Sequence, residues 1–288
     1  MRTSTEIGSA SALVGEELAI EYVAKAGFDC WDLSMMSMCG YSKLQQRFLN
    51  PDHPFLSSYY LPYIRRLKEI GLDNGIACNQ SHAPFPSDVP QVRSYLMRAI
   101  ECTAEAGGEI CVIHPMNNGT PEENAEMYFE LLPFAKNHGV KIATENMWNW
   151  NADKTQSVFA ACATSDSFSA HLDAVNDDFF VACLDIGHAE MRGSGSGAVD
   201  MIHALGNRLQ AVHMHDNDLL LDSHQLPFTM RIDFLAVIKA LRDVCYQGDM
   251  TLEADSFLKT HYPDDVFEGM KVMADTAKRL VRLFEEKV

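Results

Sequence analysis

The stretch FFVACLDIGH, residues 179–188, decides how this chain is read. It is an apolar run of strand length that stops at a carboxylate, Asp185, with Gly187 and His188 close behind. A run without apolar/polar alternation suits a strand buried on both faces, as in a parallel sheet. Working outward, the pattern recurs. Upstream are SHAPF with His82, CVIHP with His114 and KIATEN with Glu145; downstream are AVHMHDND with His215 and MTLEAD with Glu253. One such ending is what any strand does on reaching solvent. Six in series, separated by stretches of helical length, predict an α/β fold of the (β/α)8 TIM-barrel type, in which strand ends converge on one rim.

The intervening segments support that architecture. Apolar residues return at Val92, Tyr95, Leu96, Ile100 and Ala104, which predicts a helix over 92–106 ended by Gly107-Gly108. A helix over 121–138 has Pro121 near its start and Gly139 past its end. Further helices are expected over 12–26, up to about Ile70, and over 197–209, 233–244 and 263–287. GFDCWDLSM and GIACNQSH fit the second and third strands, which leaves the first to the short, polar opening residues. The segment between KIATEN and FFVACLDIGH reads as polar and rich in small residues. Irregular pieces at 37–54, 147–157 and 217–230 all follow strand ends and are expected to form the mouth of a site.

At 288 residues the chain fits one α/β barrel, so residues 1–288 are expected to form a single domain without linker or repeat. A formal charge of −17 argues against nucleic acid, whose phosphates are bound by Lys and Arg. The eight scattered cysteines include no CxxC pair, which favours reduced, buried thiols over a disulfide frame or thiolate zinc. No apolar run approaches membrane length and no signal peptide is evident, so a cytoplasmic, soluble location is expected.

Glu145, Asp185, His215 and Glu253 make a coherent ligand set: three carboxylates and one imidazole suit Mn, Co, Mg or Zn as a divalent ion. Each alone equally well caps a strand; their common station carries the argument. Gly187 permits a sharp exit that turns His188 back over the mouth. In AVHMHDND only the outer histidine, His215, is expected at the rim, with His213 a satisfied interior residue. His82 and His114 share the strand-end station and are assigned to the site as substrate contacts with His188. Asp222 and His224, in the loop after the seventh strand, are candidates for a further ion, and Trp148 and Trp150 either wall a pocket or cover apolar surface.

Through SHAP, ATEN, LDIGH, HxHxND and LEAD, over residues 27–257, the chain resembles the xylose isomerase-like barrel superfamily. That group holds sugar isomerases and epimerases and the apurinic-site nuclease endonuclease IV. The resemblance implies one divalent ion held by Glu145, Asp185, His215 and Glu253, the two glutamates also forming an acid/base pair. The substrate it implies is a small sugar or sugar phosphate, with His188 in contact. The nuclease branch implies a rival: nine ligands around three zinc ions, matched here by His82, His114, Glu145, Asp185, His188, His215, Asp222, His224 and Glu253. A non-catalytic sugar-binding protein is the third reading, and a homo-oligomer is left open. The chain departs from the common pattern in HQLPFTMRIDF, which lacks a Gly-rich turn, and in an opening strand without a ligand or aromatic.

Overall fold

In the computed structural model, which describes residues 1–286, eight parallel strands form the expected barrel. They are β1 (Thr3–Thr5), β2 (Cys30–Ser34), β3 (Ala77–His82), β4 (Ile110–Val112), β5 (Lys141–Glu145), β6 (Phe180–Asp185), β7 (Leu209–Met214) and β8 (Met250–Leu252). The ladder runs β1-β8-β7-β6-β5-β4-β3-β2. Its seam, between β1 and β2, is joined by a bridge between Glu6 and Asp32 and by backbone bonds from Ile7 to Asp32 (3.3 Å) and Asp29 to Thr3 (3.1 Å). Around it stand α1 (Glu16–Ala26), α2 (Tyr60–Asp73), α3 (Leu96–Ala106), α4 (Pro121–His138), α5 (Ser165–Val175), α6 (Ala198–Leu205), α7 (Phe234–Asp243) and α8 (Val266–Glu285). The sequence is a single-domain (β/α)8 barrel.

Side-chain alternation explains how the strands carry the site. Val112, Ala143, Val181, Cys183 and Ala211 pack together in the barrel interior, and two residues further along β5, β6 and β7 come Glu145, Asp185 and His213. The opposite face of each strand, with Ile142, Leu184 and Val212, packs on the helices. Small apolar side chains therefore close the barrel's waist, and polar ones are lifted to its C-terminal mouth.

The structure refines the reading at three places. The helix expected over 12–26 is broken at Gly15, whose φ of +80° no helix accepts; a short helix, Gly8–Val14, precedes α1. The Ser-rich segment before β6 contains α5, capped by Thr164 and closed by left-handed Asn176. Its helix propensity is low, and burial of Phe168, Leu172 and Val175 supplies what propensity does not. β1 is polar yet wholly buried because its groups are paired: Thr3 N and Oγ1 each donate to Asp29 at 2.8 Å, and Ser4 Oγ to Asn79 at 2.7 Å. Residue 287, the expected end of the terminal helix, lies outside the described residues. No helix among the described residues is long and apolar enough to cross a membrane, and seven cysteines are buried as free thiols, with Cys245 exposed.

Candidate metal centre

All nine sequence-assigned residues gather at the C-terminal mouth, and three groups describe them, the first two sharing Glu145. In the first, His82 Nε2, His114 Nε2 and Glu145 Oε2 face one another: 2.5 Å between the imidazoles, 3.2 Å from His114 to Glu145 and 3.6 Å from His82 to Glu145. In the second, Glu145, Asp185, Glu253 and His213 each bring one donor atom within 4.8 Å of the others. In the third, His188, His215, Asp222 and His224 do the same. His188 Nε2 lies 3.3 Å from Asp222, His224 Nε2 3.0 Å from Asp222, and the His215 and His224 rings stack at 3.9 Å.

His215 therefore stands beyond Asp185, with its Nε2 2.9 Å from that carboxylate, while the imidazole lying within 3.3 Å of both glutamates is His213. His213 Nδ1 lies 3.3 Å from Glu145 Oε1 and 3.2 Å from Glu253 Oε2. It is interior, as expected, but it belongs to the site. Below it are Gln80 Nε2 at 3.0 Å and Asp32 at 3.8 Å, with Gln80 donating to Asp32 at 2.9 Å. Asp32, Gln80 and Glu6 were not found from sequence. Asp32 and Gln80 sit mid-strand, where no strand end flags them; a carboxylate inside an otherwise apolar strand was itself the signal.

Hydrogen bonds hold the ligands in place. Asp185 caps the short helix Ile186–Glu190, accepting from His188 N at 2.6 Å, so it is both a cap and a candidate ligand. Asn146 exchanges two bonds with the Asp185 backbone (2.8 and 2.9 Å), and its carbonyl lies 2.9 Å from His188 Nδ1. The role expected of Gly187 changes: it does not adopt positive φ, and a Cβ there would lie 1.9 Å from His215 Cε1. Glycine is needed because the ring occupies that space. Asp216, fully buried, accepts from the backbone N–H groups of Asn217, Met230, Arg231 and Ile232 at 2.8–3.0 Å and anchors the loop after β7.

Burial by itself would raise the carboxyls of Glu145 and Glu253, but His213, with His114 beside the first and His82 beside the second, holds both well below the usual range. Burial also works against a charged His188, yet Asp185 and Asp222 outweigh it and push the imidazole up to about 10. Glu6 goes the other way: burial, with Asp255 and Glu253 nearby, pushes it up to about 7. The donor set fits a divalent cation. Three buried carboxylates within one group repel one another, and among the described residues Glu253 Oε2 and Asp222 Oδ1, though close to His213 and His224, make no well-aligned hydrogen bond. Cys183 is close enough to contribute sulfur, but burial pushes its thiol up to about 12.

Above these groups is a cavity of about 380 Å³ walled by Met36, Phe85, Met147, Trp148 and Trp150, with no Lys or Arg among its lining residues. The tryptophans thus wall the site; Trp148 Nε1 donates to Asp222 at 3.3 Å. Residues 20–276 match the family model described as a xylose isomerase-like TIM barrel. The chain belongs to that family. An uncharacterized protein of Methanocaldococcus jannaschii is 24% identical over 253 residues, 82% of this chain and 78% of its own. One from Sinorhizobium fredii is 34% identical over 114 residues, 40% of this chain and 33% of its own length. Among solved structures, a D-tagatose 3-epimerase-like protein superposes with a TM-score of 0.70 at 20% identity, covering 98% of this chain and 99% of its own. The 3-keto-D-glucoside 4-epimerase of E. coli gives 0.67 at 15% identity, with 98% and 99% covered. At those identities the likeness is one of fold.

Proposed function

We propose that this family member is a divalent-metal-dependent sugar isomerase or epimerase acting through Glu145 and Glu253. The observation that carries the reading is the placement of two buried, ionised carboxylates beside His213 and Asp185, under a small aromatic-walled cavity. One carboxylate takes the proton from the carbon next to a sugar carbonyl, leaving its electron pair in an enediolate. In an isomerisation that same carboxyl, now protonated, delivers the proton to the neighbouring carbon; in an epimerisation the opposite carboxylate takes up a proton from water in the cavity and delivers it to the opposite face, while the first releases its own to water. His82, 3.3 Å from Glu253, and His114, 3.2 Å from Glu145, hold those carboxylates in place, and His188 reaches the same cavity. The tryptophans offer flat faces to sugar C–H groups and exclude water. A divalent ion bound by Glu145, Asp185, Glu253 and an adjacent imidazole would supply a Lewis acid that acidifies the carbon proton.

A second reading, a multinuclear zinc phosphodiesterase, is favoured by the third group, His188, His215, Asp222 and His224, which one ion does not use. Against it stands the absence of Lys and Arg from the cavity lining and the charge of −17. Elemental analysis of the purified protein separates the two: one ion per chain together with deuterium incorporation into a ketose from D₂O supports the isomerase. Three zinc ions, no exchange and cleavage of a phosphodiester replace it with the hydrolase.

A further inference from the structure

We propose that the substrate of this centre carries a second, uncharged sugar ring, held in a side lobe next to the central cavity. This rests on the sugar reading above and adds a substrate class to it. The lobe, about 330 Å³, is lined by Glu6, Ser34, Ser37 and Asp255 beside apolar Ala12 and Leu13, from the end of β2 and the segments that follow β1, β2 and β8. It shares Met36 and Glu253 with the central cavity, so a molecule held against Glu253 has a way into it. Met36 is half-buried and unbranched, a wall that adapts to what lies on either side. The central cavity alone is near the lower end of ligand pockets, roughly 300–1,000 Å³, and the lobe nearly doubles it.

The lining is mostly apolar, from Ala12, Leu13 and Met36, with serine hydroxyls set into it. Ser34 is 4% exposed, and its hydroxyl has no hydrogen-bond partner among the described residues, although it lies on the lobe wall. A hydroxyl open to a cavity in this way is free to bond a ligand or water. Gly8 keeps the floor low: a Cβ there would meet the Ser37 and Ser34 hydroxyls at 2.6 and 2.7 Å. Charge disfavours an anionic second moiety. Lys259, the lone cation of the lining, is paired with Asp255 at 3.1 Å, and the Glu6 and Glu253 carboxyls share the same wall. A phosphate or carboxylate there would face acids without a free cation. A neutral ring sets its hydroxyls against the serines and its C–H faces against Leu13 and Met36.

The test uses the metal-loaded full chain, with D-fructose as the single-ring probe and the fructose disaccharides isomaltulose, leucrose and turanose, which differ in the linked carbon, as the two-ring probes. Binding is read from fluorescence of Trp148 and Trp150, and turnover from deuterium exchange. At least one disaccharide is expected to bind about tenfold more tightly than D-fructose, and Ala12→Trp, at the exposed rim of the lobe, to remove that preference. Fructose binding without preference for any disaccharide, or a preference that survives Ala12→Trp, overturns the lobe alone. Neither binding nor exchange with either class overturns the sugar reading and the lobe with it.

Discussion

The barrel has a cavity at each end, and the larger lies away from the clustered acids and histidines. The one at the N-terminal end, about 450 Å³, is lined by Arg2, Asn79, Glu109, Gln210, Tyr246 and Asp249 among others. Its groups are matched: Arg2 donates twice to Asp249 (2.9 and 2.8 Å), Asn79 once (3.0 Å), and Lys141 bonds Gln210 at 2.7 Å. At the C-terminal mouth, among the described residues, Glu145, Asp185, Asp222 and Glu253 have only histidines as ionic partners. Unmatched buried charge, rather than volume, marks the end built for a ligand.

The largest expected effect comes from Asp185→Ala. It removes a charged donor that has no acid/base duty, and metal affinity should fall at least about a hundredfold, beyond what outer contacts cost. Circular dichroism should still report a folded barrel; retained stoichiometric metal would break the contrast between the two ends. Next come Glu145→Gln and Glu253→Gln, each expected to slow deuterium exchange by about 10²–10⁴ while sugar affinity changes less than about tenfold. Equal losses in both would make these groups ligands without proton-transfer duty.

Glu6 sharpens the comparison through pH. In the unfolded chain it ionises near 4.5 and in the metal-free fold near about 7, so between those values the native state holds a proton the unfolded state has lost. Stability therefore falls as pH rises through that window, and the deficit is complete above it. Glu6→Gln should gain about 1–3 kcal/mol over the parent near pH 8 and nothing near pH 4, read from urea midpoints with chelator present. An equal gain at both pH values would refute the buried-acid account. The smallest effect is expected at the other end: Arg2→Ala, on a half-exposed pair, costs about 0–1 kcal/mol and leaves exchange unaltered. A large loss of exchange would mean that the two ends communicate.

Most of the barrel and its ligand stations were legible because a strand buried on both faces leaves an uninterrupted apolar run, and where it stops the next polar residue is at the rim. CVIHP and FFVACLDIGH are of that kind. Where a strand is polar inside, the rule fails. Thr3–Thr5 is held by Asp29 and Asn79, partners far along the chain that no local pattern reveals, and Glu6 went unseen with it. The two histidines of AVHMHDND share a face, so spacing ordered them by height but did not tell which meets the glutamates. That depends on Asp32 and Gln80 from neighbouring strands. Gly187 was singled out for the wrong cause, since the ring it accommodates comes from the next strand.

Asp216 has a consequence for how such a barrel changes over generations. By gathering the N–H groups of residues 217 and 230–232, and through the paired backbone bonds between Asp216 and Gln225, it pinches one long excursion into two closed loops. Asp222 and His224 belong to the first loop, while residues 226–229 belong to the second. Insertions and deletions in the second loop can be absorbed without moving either ligand, so in a library of length variants that is where diversity should survive selection for the metal centre.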